Sequence, residues 1–240
     1  MVPMRTWLYI RSTIISLTIF AVAACGGGGG DATTSTTPSA TPTTVVGVAA
    51  VGAPIMGTVT LKDVVGATGT ATTSATGAFS LNVSGLTPPF FLLAANTLGT
   101  VTLYSIAPAP GIANINPLSH LVVVAAAMNV DATITNPSDV FADPAKFKSI
   151  TAAQVGDATT LVMGKMSTSF KAMLSVQGAI NVNPITDQYA IGNALDKTFD
   201  AHTLTLNPVT GTITEKDNAT GIVSIVATQP ELRLIHTPHS

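Results

Sequence analysis

The chain has 240 residues, with 10 Lys and Arg against 12 Asp and Glu, a formal charge of −2, and only 9% charged side chains beside 46% hydrophobic ones. A charge-poor, slightly acidic chain has no basic footprint to release counterions from a phosphate backbone, which argues against nucleic acid as a partner. The single cysteine excludes an intrachain disulfide, so all thiol chemistry rests on Cys25.

In chain order, Arg5 and Arg11 make a basic start, Ser12 to Ala24 an uncharged apolar stretch, and small residues lead into the cysteine, the three zones of an export signal. The apolar zone is thirteen residues long. A membrane-spanning helix needs about 18 or more. The run Val22-Ala23-Ala24-Cys25 resembles the lipobox of bacterial lipoprotein precursors. That resemblance implies that residues 1–24 are a signal peptide and that the Cys25 thiol carries a diacylglyceryl group, with the membrane as partner. Two acyl chains make a stable anchor, at about 0.8 kcal/mol per buried methylene. Gly26 after the cysteine, rather than Asp, implies delivery to the outer membrane. The expected address is exported and lipid-anchored.

Residues 25–44 follow as a tether, five glycines and then a Thr/Ser/Pro-rich run with no large apolar side chain to bury. As a flexible coil, its nineteen residues after Cys25 reach roughly 24 Å.

From Val45, short alternating runs separated by turn residues predict an antiparallel β-sandwich over 45–107. Gly57-Thr-Val-Thr-Leu-Lys62 turns Val59 and Leu61 to one face; Ala78-Phe-Ser-Leu-Asn-Val83 does the same with Phe79, Leu81 and Val83. Between them Gly69 to Thr73 reads as a strand joined to Ala78 by a hairpin at Ser74 to Gly77, with Gly77 at positive φ. Phe90 to Ala95 and Thr100 to Ser105 form a second hairpin around Asn96 to Gly99. The runs Gly52 to Leu61 and Ala71 to Leu81 resemble the carboxypeptidase regulatory-like domain, a prealbumin-like sandwich. That resemblance covers about sixty residues and implies a non-catalytic module. Ser74 stands where that family commonly has an acidic residue, so no cation is expected in the turn.

Over 108–200 the punctuation changes to helix starts. Asn116-Pro117 places an amide cap before proline at the first helical position, with Leu118, Leu121, Val122 and Ala125 on one face. Asn136-Pro137 and Asp143-Pro144 repeat the device. Thr151 to Gln154 has capping-box spacing, and one periodic stretch then runs from Val155 through Phe170 to Leu174. A further helix is expected to begin near Pro184 or Thr186 and to carry Tyr189, Leu195 and Phe199. Alternation returns over 201–228 in Thr203 to Leu206, Thr212 to Thr214 and Gly221 to Val226, predicting a terminal hairpin or meander, and residues 229–240 read as a peripheral tail. The expected fold is α+β and multidomain: an N-terminal antiparallel sandwich, a mainly helical domain, then the terminal strands. This order, with Asn114-Ile-Asn-Pro-Leu-Ser119 opening the helices, resembles uncharacterised proteobacterial lipoproteins of two-part layout.

No catalytic set emerges from the spacing. There is no Gly-x-Ser-x-Gly elbow, and Ser119 and His120, neighbours on a helix, point about 100° apart. His120 is expected at a helix surface or a domain junction. His120, His202, His236 and His239 show no metal-ligand spacing, and the glycine run of the tether is not a phosphate loop, so neither metal nor cofactor is expected. The phenylalanines fall mostly on inward positions. These features predict a non-catalytic envelope protein that presents an interaction or binding surface to an envelope protein or glycan. Two rival readings are a hydrolase with Asp187 or Asp196 near His120, and a small-ligand or glycan binder with a cleft between domains.

Overall fold

The computed structural model describes residues 43–179 and 181–233. Alternation in the first part produces two sheets. In the first, β1 (Thr44–Val48) pairs antiparallel with β4 (Ala78–Asn82) and parallel with β7 (Gly111–Ile112). In the second, β2 (Gly57–Lys62), β3 (Thr68–Thr72), β5 (Phe90–Asn96) and β6 (Thr102–Ala107) lie in the antiparallel order β3-β2-β5-β6. Val59 stands opposite Ala71 and Ala94, and Leu61 opposite Gly69 and Leu92, so these residues share one face. A Cβ at Gly69 would lie 3.8 Å from Leu81 of β4, which turns that face toward the first sheet.

The alternate residues of β5 and β6 look the other way. Phe91 is fully buried and stacks at 5.8 Å on Tyr104, 5.8 Å on Phe141 and 5.4 Å on Phe147. Burying a ring of that size stabilises by about 2–3 kcal/mol. The helices α1 (Pro117–Val130) and α2 (Pro137–Ala142) supply that layer, and α3 (Ala152–Lys165) packs on α1. Every predicted cap forms: Asn116 to Ser119 N–H, Asn136 to Ser138 N–H, Asp143 to Ala145 N–H at a short 3-10 turn, and the Thr151/Gln154 box. α1 differs from the single apolar face expected of it: Leu118 and Ser119, then Leu121 to Met128, are all buried, so it is a core helix.

Three connections depart from expectation. Gly77 has φ +76°, but Ser74 to Gly77 is no hairpin, because β3 pairs with β2 and β4 with β1; the segment crosses between sheets. The periodic stretch from Val155 to Leu174 is two helices, α3 and α4 (Thr168–Val176), broken where Met166 is extended at ψ 149° and Ser167 caps α4. The helix expected near Pro184 or Thr186 starts later, as α5 (Ala194–Ala201), because Gly192 at φ +82° and the Asn193 cap set its first turn.

The terminal strands form the expected antiparallel meander, β8 (His202–Leu206), β9 (Ile213–Asp217) and β10 (Val223–Ala227). Beyond them Gln229–Leu232 is packed rather than peripheral. Leu232 is fully buried, Gln229 Nε2 donates to Ala132 O at 2.9 Å, and Glu231 meets Lys165 at 2.9 Å. The described residues, several antiparallel sheets and five α-helices among them, make an α+β fold and fall in one compact unit, Thr41–Ser240. No helix among them is long and apolar enough to cross a membrane.

Candidate functional site

Two asparagines build the junction around which the site forms. Asn114 Oδ1 accepts Val48 N–H at 3.2 Å, while its Nδ2 donates to Ile185 O at 3.0 Å and Asp187 O at 2.7 Å. Asn116 caps α1 with its Oδ1 and donates from Nδ2 to Pro184 O at 2.7 Å. Ser119 Oγ in turn donates to Tyr104 O at 3.0 Å. The start of α1 is thereby pinned to β6 on one side and to the 184–187 segment on the other. His120 is the next residue, and its orientation follows.

His120 lines a cleft of about 540 Å³. Its walls come from residues 100–103 ahead of and within β6, the first turns of α1, Phe199 of α5, and β8 from His202 to Leu206. The His120 ring sits 5.7 Å from that of Tyr104, and its Nδ1 is buried with no hydrogen-bond partner. Burial disfavours the imidazolium and lowers its pKa to about 4, so the ring is neutral at neutral pH. Burial, reinforced by the charge of Asp139, raises the Tyr104 pKa and keeps the phenol protonated.

The second imidazole of the cleft, His202, follows from strand parity. In β8 and β9 His202 stands opposite Asp217, and Leu204 opposite Glu215, so His202, Leu204, Ile213 and Glu215 share one face. Glu215 is a buried carboxylate, with Oε1 3.0 Å from His202 Nδ1. The approach is close but off the line of a ring N–H hydrogen bond, and that nitrogen has no aligned partner. Ser167 engages the same carboxylate twice, donating from Oγ to Oε1 and from its backbone N–H to Oε2 at 3.0 Å. Ser167 Oγ also accepts Phe170 N–H at 3.1 Å as the cap of α4.

The order of this cluster decides its chemistry. A serine hydrolase needs the imidazole between the hydroxyl and the acid, so that the base can take the serine proton. Here the carboxylate stands between Ser167 and His202, and the serine proton is committed to it. The cluster clasps α4 to the meander and holds His202 at the cleft.

Asp187 and Asp196, the acids that a hydrolase reading would pair with His120, are bonded elsewhere. Asp196 accepts from the Tyr189 hydroxyl and from Gly192 N–H at 2.7 Å. Burial and that carboxylate together raise the Tyr189 pKa strongly. Asp187 Oδ2 accepts Asn183 N–H at 2.8 Å. Neither is bonded to His120. Cys25, His236 and His239 lie outside the described residues. Among the described residues no three His, Cys, Asp or Glu side chains gather so as to hold a metal ion.

Sequence reasoning passed over Glu215 and weighed His202 only as a metal ligand. The available signal was Glu215 two residues after Ile213, on the inward parity of a strand. No protein family, curated protein or solved structure matches the chain. Fold and site therefore define it by construction: an α+β protein with a cleft that carries two imidazoles.

Proposed function

We propose that this is a non-catalytic, lipid-anchored protein of the cell envelope that binds a small molecule in the His120/His202 cleft. The binding reading is carried by the cleft itself, in which two histidines from different elements meet an otherwise apolar and threonine-lined wall. Concave, mostly apolar sites of about 300–1,000 Å³ with a few convergent polar groups are the usual form of a small-ligand site. The anchor reading is supported by Val22 to Cys25 and the tether, and Gly26 after the cysteine supports the outer membrane as its address. In this layout residues 45–107 are a carboxypeptidase regulatory-like module, 108–200 a helical domain and 201–228 the terminal strands, with the cleft at their junction. Two measurements test the pair of claims. Cys25→Ala should move the protein from the membrane to the soluble fraction, and tight membrane association of that variant would refute the anchor. Screening envelope lipids and sugars should raise the thermal midpoint for at least one class, as mass action requires of any ligand that binds only the folded state. A flat response across both classes would refute the binding reading.

One contact favours a second reading. His202 at the cleft, with Glu215 Oε1 3.0 Å from its Nδ1, would become the base-and-orienter half of a hydrolytic site that uses water as nucleophile once the pair aligned. Saturable hydrolysis of p-nitrophenyl acetate, lost in His202→Gln with the fold intact, would replace the binding reading with that one.

A further inference from the structure

We propose that the cleft selects an uncharged molecule with an apolar body and one hydroxyl or amide group, and that the polar group is held at the His120 imidazole. This rests on the cleft being the binding site. The body is matched by Leu103, Leu121, Phe199, Leu204 and Leu206, while the threonines Thr100, Thr102, Thr203 and Thr205 are exposed around them. No Asp, Glu, Lys or Arg among the described residues lines the cleft. A charged ligand would give up its hydration there without a counterion, a cost that apolar contact does not return. For an anion the case is worse, since the buried Glu215 carboxylate stands behind His202.

The polar group is indicated by the His120 ring. His120 lines the cleft, and among the described residues its ring makes no hydrogen bond. A ligand hydroxyl or amide serves either tautomer of a neutral imidazole, accepting from N–H or donating to the bare nitrogen. A pure hydrocarbon makes no such bond.

The test uses three probes with one body: naphthalene, 2-naphthol and 2-naphthoate, titrated at pH 7 onto the full chain carrying Cys25→Ala, which keeps acyl chains out of the sample. 2-Naphthol should bind about five- to tenfold more tightly than naphthalene, the value of one ordinary hydrogen bond, and 2-naphthoate at least tenfold more weakly than 2-naphthol. In His120→Leu the naphthol affinity should fall to that of naphthalene, with naphthalene unchanged. On the unsubstituted His120 protein, naphthol should also shift the ring-proton resonances of His120 and His202, a readout that stands even if the leucine variant does not fold. Equal binding of naphthol and naphthalene, or tightest binding of naphthoate, would overturn the ligand class while leaving the cleft as a binding site. No saturable binding of any probe, or shifts confined to His236 and His239, would overturn the cleft reading as well.

Discussion

Replacing Glu215 by alanine tests whether its carboxylate is the joint that its contacts suggest. The side chain is buried and accepts two hydrogen bonds from Ser167, one from the hydroxyl and one from the backbone N–H. Truncation affects these unequally. The hydroxyl has a ready alternative in Ser169 Oγ, 2.9 Å away, so it forfeits little. The N–H has none and becomes an unpaired donor in a half-buried place. A hydrogen bond to a charged acceptor contributes about 1.5–3 kcal/mol, and an unsatisfied buried donor costs about 1–3 kcal/mol. Together with the small void left behind, these give an expected loss of about 3 kcal/mol, or roughly 6–12 °C in Tm for a chain of this length. Glu215→Gln keeps a carbonyl oxygen for the N–H, and should cost only about 1 kcal/mol. Urea unfolding followed by far-UV circular dichroism measures both, with an unchanged slope marking an effect on stability alone. An alanine variant within about 0.5 kcal/mol of the parent, or a glutamine variant as damaged as alanine, would refute the clasp.

The neutral state of His120 has a pH signature. Its pKa of about 4 lies below the ordinary 6.5, so between those values the unfolded chain binds the proton and the folded one does not. Stability should therefore be level above pH 6.5 and fall as pH drops toward 4, by up to about 3 kcal/mol; a ring-proton NMR titration with a midpoint near 6.5 would contradict this. Asn116→Ala removes the α1 cap and strips Pro184 O of its donor, with an expected cost of about 3 kcal/mol in chemical denaturation. On the edge strand β10, Ile225 is 68% exposed. Ile225→Lys should leave stability within about 0.5 kcal/mol and reduce self-association by light scattering, because a charge on an open edge opposes strand-to-strand pairing.

What the sequence made legible is local in origin. Asn116 and Ser119, Thr151 and Gln154, and Asn136 and Ser138 are all within three residues of one another, so their caps could be read without knowing where the chain goes next. Alternation likewise identified inward residues such as Val59, Leu61, Phe79 and Leu81. It could not say which sheet a strand joins, since the same period suits either, and that is why the passage from β3 to β4 read as a hairpin. The break at Met166 was hidden for the same reason. Ser167 is an ordinary cap residue inside a periodic run, and what commits it to ending one helix and starting another is Glu215, 48 residues away in sequence.

The Asn114 to Ser119 run shows how a local code positions a distant site. As a motif it carries no reactive group, and its asparagines and serine are fully engaged in fastening β1, β6 and the 184–187 segment to the start of α1. Fastening α1 at that point also fixes the direction of the residue that follows it, and the residue is His120. On the opposite side Glu215 fixes α4 against the meander whose first residue is His202. His120 is thus the neighbour of a buried polar joint rather than a member of one, while His202 touches its joint, with Nδ1 3.0 Å from Glu215 but no aligned hydrogen bond. The naphthol series asks whether the His120 ring is open to a ligand.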